Sequence, residues 1–177
     1  MRRAEELAAD LEASYSRFAD YLEGLSPDEW RTPGVNNPEV VAGEDEHRPV
    51  GVIAHHAGES LPMFVERAWR IAVGEPLEPI SSAAMDAANA RHAAVNPNPD
   101  QSETVAMLRD NSERAGEIIR GLSDEDLDRA GPGALSGFTA EQLVRRVVIG
   151  HVATHEGSIR AALQASGSAV GQRSQDL

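Results

Sequence analysis

The sequence predicts an all-α fold, a four-helix bundle with one or two short extra helices between the second and third long helices. Four long segments carry apolar residues at spacings of three and four, the period of an amphipathic helix. Alanine is abundant and aromatic residues make up only 4%, which favours helix over sheet. The length of 177 residues suits one domain, which we expect over residues 1–166, followed by a disordered tail over 167–177.

The first long helix is predicted over residues 3–23, because its apolar side chains form one stripe of helical period. Gly24 is expected to end it. The turn that follows Ser26 has proline at its first helical position and is expected to place Trp30 in the core. The stripe consists of Leu7, Leu11, Tyr15, Phe18 and Leu22.

The second long helix is predicted over residues 49–73, after a polar loop over 32–47 that is rich in proline, glycine and asparagine. Pro62 lies inside this helix, so we expect a kink or break near Leu61. A short helix is predicted from about residue 82 to 94, with Ser81 or Ser82 as its N-cap.

The third long helix is predicted from residue 100 or 102 to 120, and the fourth over 139–164 after a glycine and proline loop. A Gly-Leu-Ser sequence closes both the first and the third helix. Each is followed by an acidic turn, a glycine and proline loop, and a helix that carries histidine. This weak internal repeat predicts two helical hairpins packed in one bundle.

Charge and composition exclude several function classes. The formal net charge of −13 argues against nucleic-acid partners and against docking on anionic membranes. There is no cysteine and no lysine, so thiolate metal sites, disulfides and Schiff-base chemistry are excluded, and any thiol must arrive as a cosubstrate. The chain has neither a segment of ~20 apolar residues nor the pattern of a signal peptide, and we expect it in the cytoplasm.

Histidines are the strongest chemical signal in the sequence. His151 and His155 are four residues apart, so on a helix they share one face and can bind one metal ion. The internal repeat aligns His55 with His151, which makes His55 the predicted third ligand. His56 points about 100° away on the same helix and is the alternative ligand. The competing interpretation is that these histidines are partly buried and only hydrogen-bond to their neighbours.

Other polar residues are candidates for catalysis around this site. Glu59 lies one turn after His55, and Asn89 shares a helical face with His92 in the short helix. We predict roles in proton transfer or substrate positioning for Glu59, His92 and Asn89, although a simple surface helix explains the last two equally well. His47 lies in an acidic loop and is expected to be solvated.

Together these motifs resemble the DinB-like superfamily, which includes the mycothiol-dependent maleylpyruvate isomerases and related bacillithiol transferases. The matching pieces are residues 49–55 on the second helix, the turn over 121–127, and His151, His155 and Gly157 on the fourth helix. The likeness spans roughly residues 3–165.

The resemblance implies a four-helix bundle of the DinB and YfiT type, often a homodimer. It implies a zinc or nickel ion with one ligand from the second helix and two from the fourth, at the positions of His55, His151 and His155. It also implies a reaction that uses a low-molecular-weight thiol such as mycothiol.

The function expected from the sequence is therefore that of a metal-dependent transferase or isomerase in which a thiol attacks a small electrophile. Two alternatives remain open at this level. One is a metal-dependent hydrolase that needs no thiol, and the other is a non-catalytic stress protein that binds a metal or a small molecule.

Overall fold

Amphipathic helices form the frame of the molecule in the computed structural model, which describes residues 2–35, 47–132 and 137–173. Over these residues there is no strand, and no helix combines the length and apolarity that a bilayer crossing needs. The all-α prediction is confirmed. The elements in chain order are α1 (Arg3–Glu23), α2 (Pro27–Trp30), α3 (Val50–Val73), α4 (Ser82–Val95), α5 (Gln101–Arg120), α6 (Asp124–Asp128), α7 (Ala140–Leu143), a π-helical segment (Val144–Ile149) and α8 (Gly150–Arg173).

The core lies between the four long helices α1, α3, α5 and α8. Helix α1 packs along α5, and α3 packs against both α5 and α8. The predicted stripe of α1 is fully buried, and α3 and α5 each contribute buried apolar residues to the same core. The largest buried side chains are Tyr15, Phe18, Leu7, Leu11, Leu22, Ile53, Leu61, Leu108, Ile119, Leu127 and Ile159. This packing brings α3 and α8, the two helices that carry paired histidines, face to face.

Local capping signals set the ends of the short helices. The side-chain oxygens of Ser26, Ser81, Ser123 and Thr139 each accept a hydrogen bond from a backbone N–H in the first turn that follows. Gly74 ends α3 with a φ of 76°, a left-handed conformation that glycine adopts without strain. The predicted helix starts after Ser26, Ser81 and Thr139 are confirmed.

Helix α3 passes through Pro62 without a break, so of the predicted kink or break near Leu61 the break is wrong, and the kink stays a prediction. Proline has no N–H to donate to the carbonyl oxygen four residues earlier, which belongs to Gly58. The side-chain amide of Asn111 on α5 donates to that oxygen over 3.0 Å. The neighbouring helix therefore supplies the missing donor, and the helix continues.

The fourth long helix differs from its prediction in form and in length. It begins after its cap at Thr139, close to the predicted start, but it is α-helical for four residues, then π-helical, and only then the long α8. Helix α8 continues to Arg173, beyond the predicted end at residue 164. The division into a domain over 1–166 and a tail stays a prediction, and the predicted loops over 32–47 and 131–137 lie partly outside the described residues.

Candidate metal centre

Three helices bring five histidines into one region of the bundle. Helix α3 carries two of them side by side, α8 carries two that are one turn apart, and α4 lays one more against α3. The rings in contact with one another are those of His55, His56, His92, His151 and His155.

The pair on α8 has the predicted geometry. The Nε2 atoms of His151 and His155 are 3.0 Å apart, and the two rings are nearly perpendicular with centroids 4.4 Å apart. Two nitrogens held ~2.0–2.1 Å from a tetrahedral ion lie about 3.3 Å apart. The spacing in the bundle is therefore close to the spacing that a shared ion requires.

His56 completes this group, and His55 does not. The ring centroid of His56 is 5.4 Å from that of His151 and 5.2 Å from that of His155. One ligand nitrogen from each of the three rings lies within 4.8 Å of the others. The sequence favoured His55 through the internal repeat and kept His56 as the alternative. We call His56, His151 and His155 the three-histidine group.

His55 turns instead towards α4, because consecutive residues on a helix point about 100° apart and only one of the two can face α8. Its Nδ1 atom is 2.9 Å from Nε2 of His92. The same His92 nitrogen is 3.3 Å from a carboxylate oxygen of Glu59. Side-chain ligand atoms of His55, Glu59 and His92 also lie within 4.8 Å of one another. We call these residues the His-Glu-His group.

Burial keeps the three-histidine group uncharged at neutral pH. Desolvation lowers the pKa of His56 to about 3, with a further contribution from His151. It lowers the pKa of His151 to about 4, assisted by the positive charge of Arg48. The pKa of His155 is lowered well below its usual range for the same main reason. Neutral imidazoles have a free lone pair, which is the form that binds metal ions.

The donor set fits a divalent ion such as zinc. Two Nε2 atoms at 3.0 Å can share one hydrogen, but the ring that donates it is then left with an Nδ1 that can only accept. The Nδ1 atom of His151 is buried and has no hydrogen-bond partner in the described part of the chain. A cation between the nitrogens would use both Nε2 lone pairs at once, and three imidazoles would leave a coordination position open.

An apolar cavity of about 350 Å³ reaches the surroundings of the three-histidine group through Phe64, and no histidine is among its lining residues in the described part of the chain. Phe64 lines it, and the ring centroid of Phe64 is 4.8 Å from that of His151. Further walls come from α3, α4, α7 and the π-helical segment, with Arg67 as the charged residue of the lining. Among the other lining residues are Ile71, Leu77, Met85, Leu143 and Val147. The volume falls within the range of small-molecule pockets.

The remaining predicted residues lie around these two groups. His92 is buried and Glu59 is largely exposed, so Glu59 stands at the solvent edge of the His-Glu-His group. Asn89 is half-buried one turn before His92, and its predicted role in positioning stays a prediction. His47 is exposed.

Sequence reasoning missed Phe64 and Arg48, which affect the site through ring contact and charge. Helical spacing could have indicated Phe64, since it lies two turns after His56 on the same helix.

Comparison with known proteins identifies a family. No curated protein and no solved structure matches the chain. The family model of the DinB superfamily matches residues 10–158, which include both histidine groups and most of the bundle. The chain therefore belongs to the DinB superfamily.

Proposed function

We propose that this protein is a metal-dependent enzyme that joins a low-molecular-weight thiol to a small electrophile, as a transferase or isomerase. The observation that carries the proposal is the convergence of three neutral imidazoles, from two different helices, beside an apolar cavity. Zinc or nickel is the proposed ion, in line with the expectation from the sequence.

A divalent ion held by the three-histidine group would lower the pKa of a coordinated thiol or water and so supply a nucleophile near neutral pH. The chain has no cysteine, so the thiol must be a cosubstrate such as mycothiol. Histidine side chains that remain neutral at pH 7 keep the ligand positions available without competition from protons.

The apolar cavity is the proposed position of the electrophile. Phe64 lines the cavity and its ring contacts His151, so one side chain separates a molecule in the cavity from the ligand set. The apolar lining suits an apolar electrophile, and Arg67 offers a positive charge for an acidic group on it. We further propose that the protein is a homodimer and acts in the cytoplasm, as expected from the sequence.

The test is an assay of the metal-loaded protein with mycothiol or bacillithiol and an activated aromatic electrophile, alongside metal analysis. We expect His151→Ala to lose bound metal and to reduce turnover by at least about 100-fold, because a ligand is removed. His47→Ala is the matched control, since it removes an exposed histidine outside both groups and should leave metal content and turnover unchanged.

The alternatives give different results in the same experiment. Turnover that does not depend on added thiol would indicate a metal-dependent hydrolase instead of a thiol transferase. Tight metal binding without turnover, and without an exchangeable ligand in the spectrum of the cobalt-substituted protein, would leave a non-catalytic binding protein.

A further inference from the structure

The His-Glu-His group has no role in the proposed function. It is built from α3 and α4, whereas the three-histidine group is built from α3 and α8. His55 and Glu59 are one turn apart on α3, and His92 reaches them from α4. The ring of His92 is also only 5.2 Å, between centroids, from the ring of His56. The two groups are therefore immediate neighbours.

Three lone-pair atoms face one another in this group. The Nε2 atom of His92 is 2.9 Å from Nδ1 of His55 and 3.3 Å from a carboxylate oxygen of Glu59. If His92 Nε2 carries a hydrogen, it can donate that hydrogen to only one of these two acceptors. The other acceptor is then close to the nitrogen but receives no hydrogen bond from it. Convergent acceptors of this kind are stabilised by a cation placed between them.

The donor set is one that binds divalent metals. Two imidazoles and one carboxylate form a common zinc set, and two of the three ligands here share one helical face through a spacing of four residues. Only 6% of the His92 side chain is exposed. Its Nδ1 atom is buried and has no hydrogen-bond partner among the described residues. The nitrogen that faces the group is thus fixed in place by packing.

We propose that His55, Glu59 and His92 bind a second divalent cation next to the three-histidine group, so that the centre is binuclear. The second ion binds more weakly than the first, because Glu59 is 56% exposed and the site is open to solvent on that side. Arg48 and the ion in the first group also oppose it, whereas the overall charge of −13 favours cations. This assignment replaces the proton-transfer role that the sequence suggested for Glu59 and His92.

The experiment is a titration of metal-free protein with zinc by calorimetry and with cobalt by visible absorption, with the bound metal counted after gel filtration. We expect two ions per wild-type chain in two affinity classes. Glu59→Gln should lower the affinity for the second ion by at least about tenfold, because even the loss of an outer partner of a metal ligand typically has an effect of this size. Glu66→Gln, an exposed carboxylate change on the same helix, is the matched control and should keep both ions.

Further variants separate this proposal from the proposed function. His151→Ala should lose the tight ion and keep the weak one, and His92→Gln should do the reverse. One ion per wild-type chain at saturating metal would overturn the proposal, as would two ions retained with unchanged affinities in Glu59→Gln. Neither result bears on turnover at the three-histidine group. His92 is buried, so His92→Gln could fail to fold; Glu59 is largely exposed, and Glu59→Gln then still tests the proposal.

Discussion

Tyr15 links the core of α1 to the irregular part of the last helix. Its hydroxyl donates to the carbonyl oxygen of Val148 over 3.3 Å, and both residues are buried. Val148 lies in the π-helical segment, just before the histidines of α8. Burial raises the pKa of the Tyr15 hydroxyl, so it remains a donor throughout the neutral range. A single hydrogen bond therefore supports the backbone that positions the α8 ligands.

We predict that Tyr15→Phe lowers the free energy of unfolding by about 1 kcal/mol, because the carbonyl oxygen loses its donor while the ring still packs. Urea denaturation at pH 7 measures the change. Tyr21→Phe is the control, since Tyr21 is half-buried and contacts the guanidinium of Arg160 through its ring. Equal losses in the two variants would contradict the role assigned to the Tyr15 hydroxyl.

Asn111 and Pro62 act together within the pair α3 and α5. The amide of Asn111 replaces the backbone donor that Pro62 lacks, at the carbonyl oxygen of Gly58. We predict that Asn111→Ala costs about 1–2 kcal/mol in unfolding free energy, because a buried carbonyl is left without a partner. In a Pro62→Ala background the backbone N–H returns, so the same Asn111→Ala change should cost less.

A double-mutant cycle measures this coupling, with all four proteins compared by urea denaturation. The prediction requires the two substitutions to be non-additive. Additive losses would show that Asn111 stabilises α5 for some other reason.

Gly51 of α3 lies against the indole ring of Trp30 in α2. A Cβ atom at Gly51 would lie 2.5 Å from Nε1 of Trp30, and that nitrogen donates to the carbonyl oxygen of Pro99 over 2.9 Å. The indole ring is therefore held from both sides. We predict that Gly51→Ala lowers the free energy of unfolding by about 1–3 kcal/mol through overpacking, measured by denaturation with tryptophan fluorescence.

Gly167→Ala provides the matched control, since a Cβ atom there meets no atom within 4 Å and the residue lies in α8. Alanine should stabilise that helix by up to about 1 kcal/mol. If Gly51→Ala had the same free energy of unfolding as Gly167→Ala, Gly51 would not be tightly packed against Trp30, and the prediction would fail.

Helices and their ends could be predicted from the sequence because their causes are local. The stripe of α1 and the cap at Thr139 depend on residues within one or two turns. The choice between His55 and His56 depends on the rotation of α3 about its axis. The first five residues of α3 are all buried, so the apolar pattern does not define which face meets α8.

Tertiary contacts decide the rest of the site. Helix α4 buries only His92 and has almost no amphipathic pattern, so its docking against α3 could not be predicted from spacing. The π-helical segment changes the register between the cap at Thr139 and the histidines of α8. Such a change is set by packing against α1, including the bond from Tyr15, and has no local sequence signal.

At the scale of the whole molecule, charged side chains connect the first helix to the last part of the bundle. Arg3 of α1 contacts Glu141 of α7 at 2.5 Å and Asp128 of α6 at 2.8 Å. Arg145 contacts the same Glu141 at 2.9 Å and Asp10 of α1 at 2.7 Å. Glu141 is the most buried carboxylate of this network, with 19% of its side chain exposed. It therefore joins segments that are far apart in the sequence.

The pKa of Glu141 is lowered from 4.5, first by the hydrogen bond from Arg3 and then by that from Arg145. The unfolded chain consequently binds a proton at higher pH than the folded chain does at this position. The stability that Glu141 contributes is fully present above its ordinary pKa of 4.5 and is lost as the pH falls through the lowered folded value.

We predict that Glu141→Gln lowers the free energy of unfolding by about 1 kcal/mol at pH 7, the upper end for partly exposed ion pairs. The variant should also lose less stability than the wild type as the pH falls from 5 to 3, because the titrating group is gone. Urea denaturation at a series of pH values measures both effects, with the exposed Glu113→Gln on α5 as control. If stability fell as steeply with pH in Glu141→Gln as in the wild type, other carboxylates would govern acid unfolding. The ion pairs of Glu141 between α1 and α7 would then contribute nothing to the pH dependence of stability.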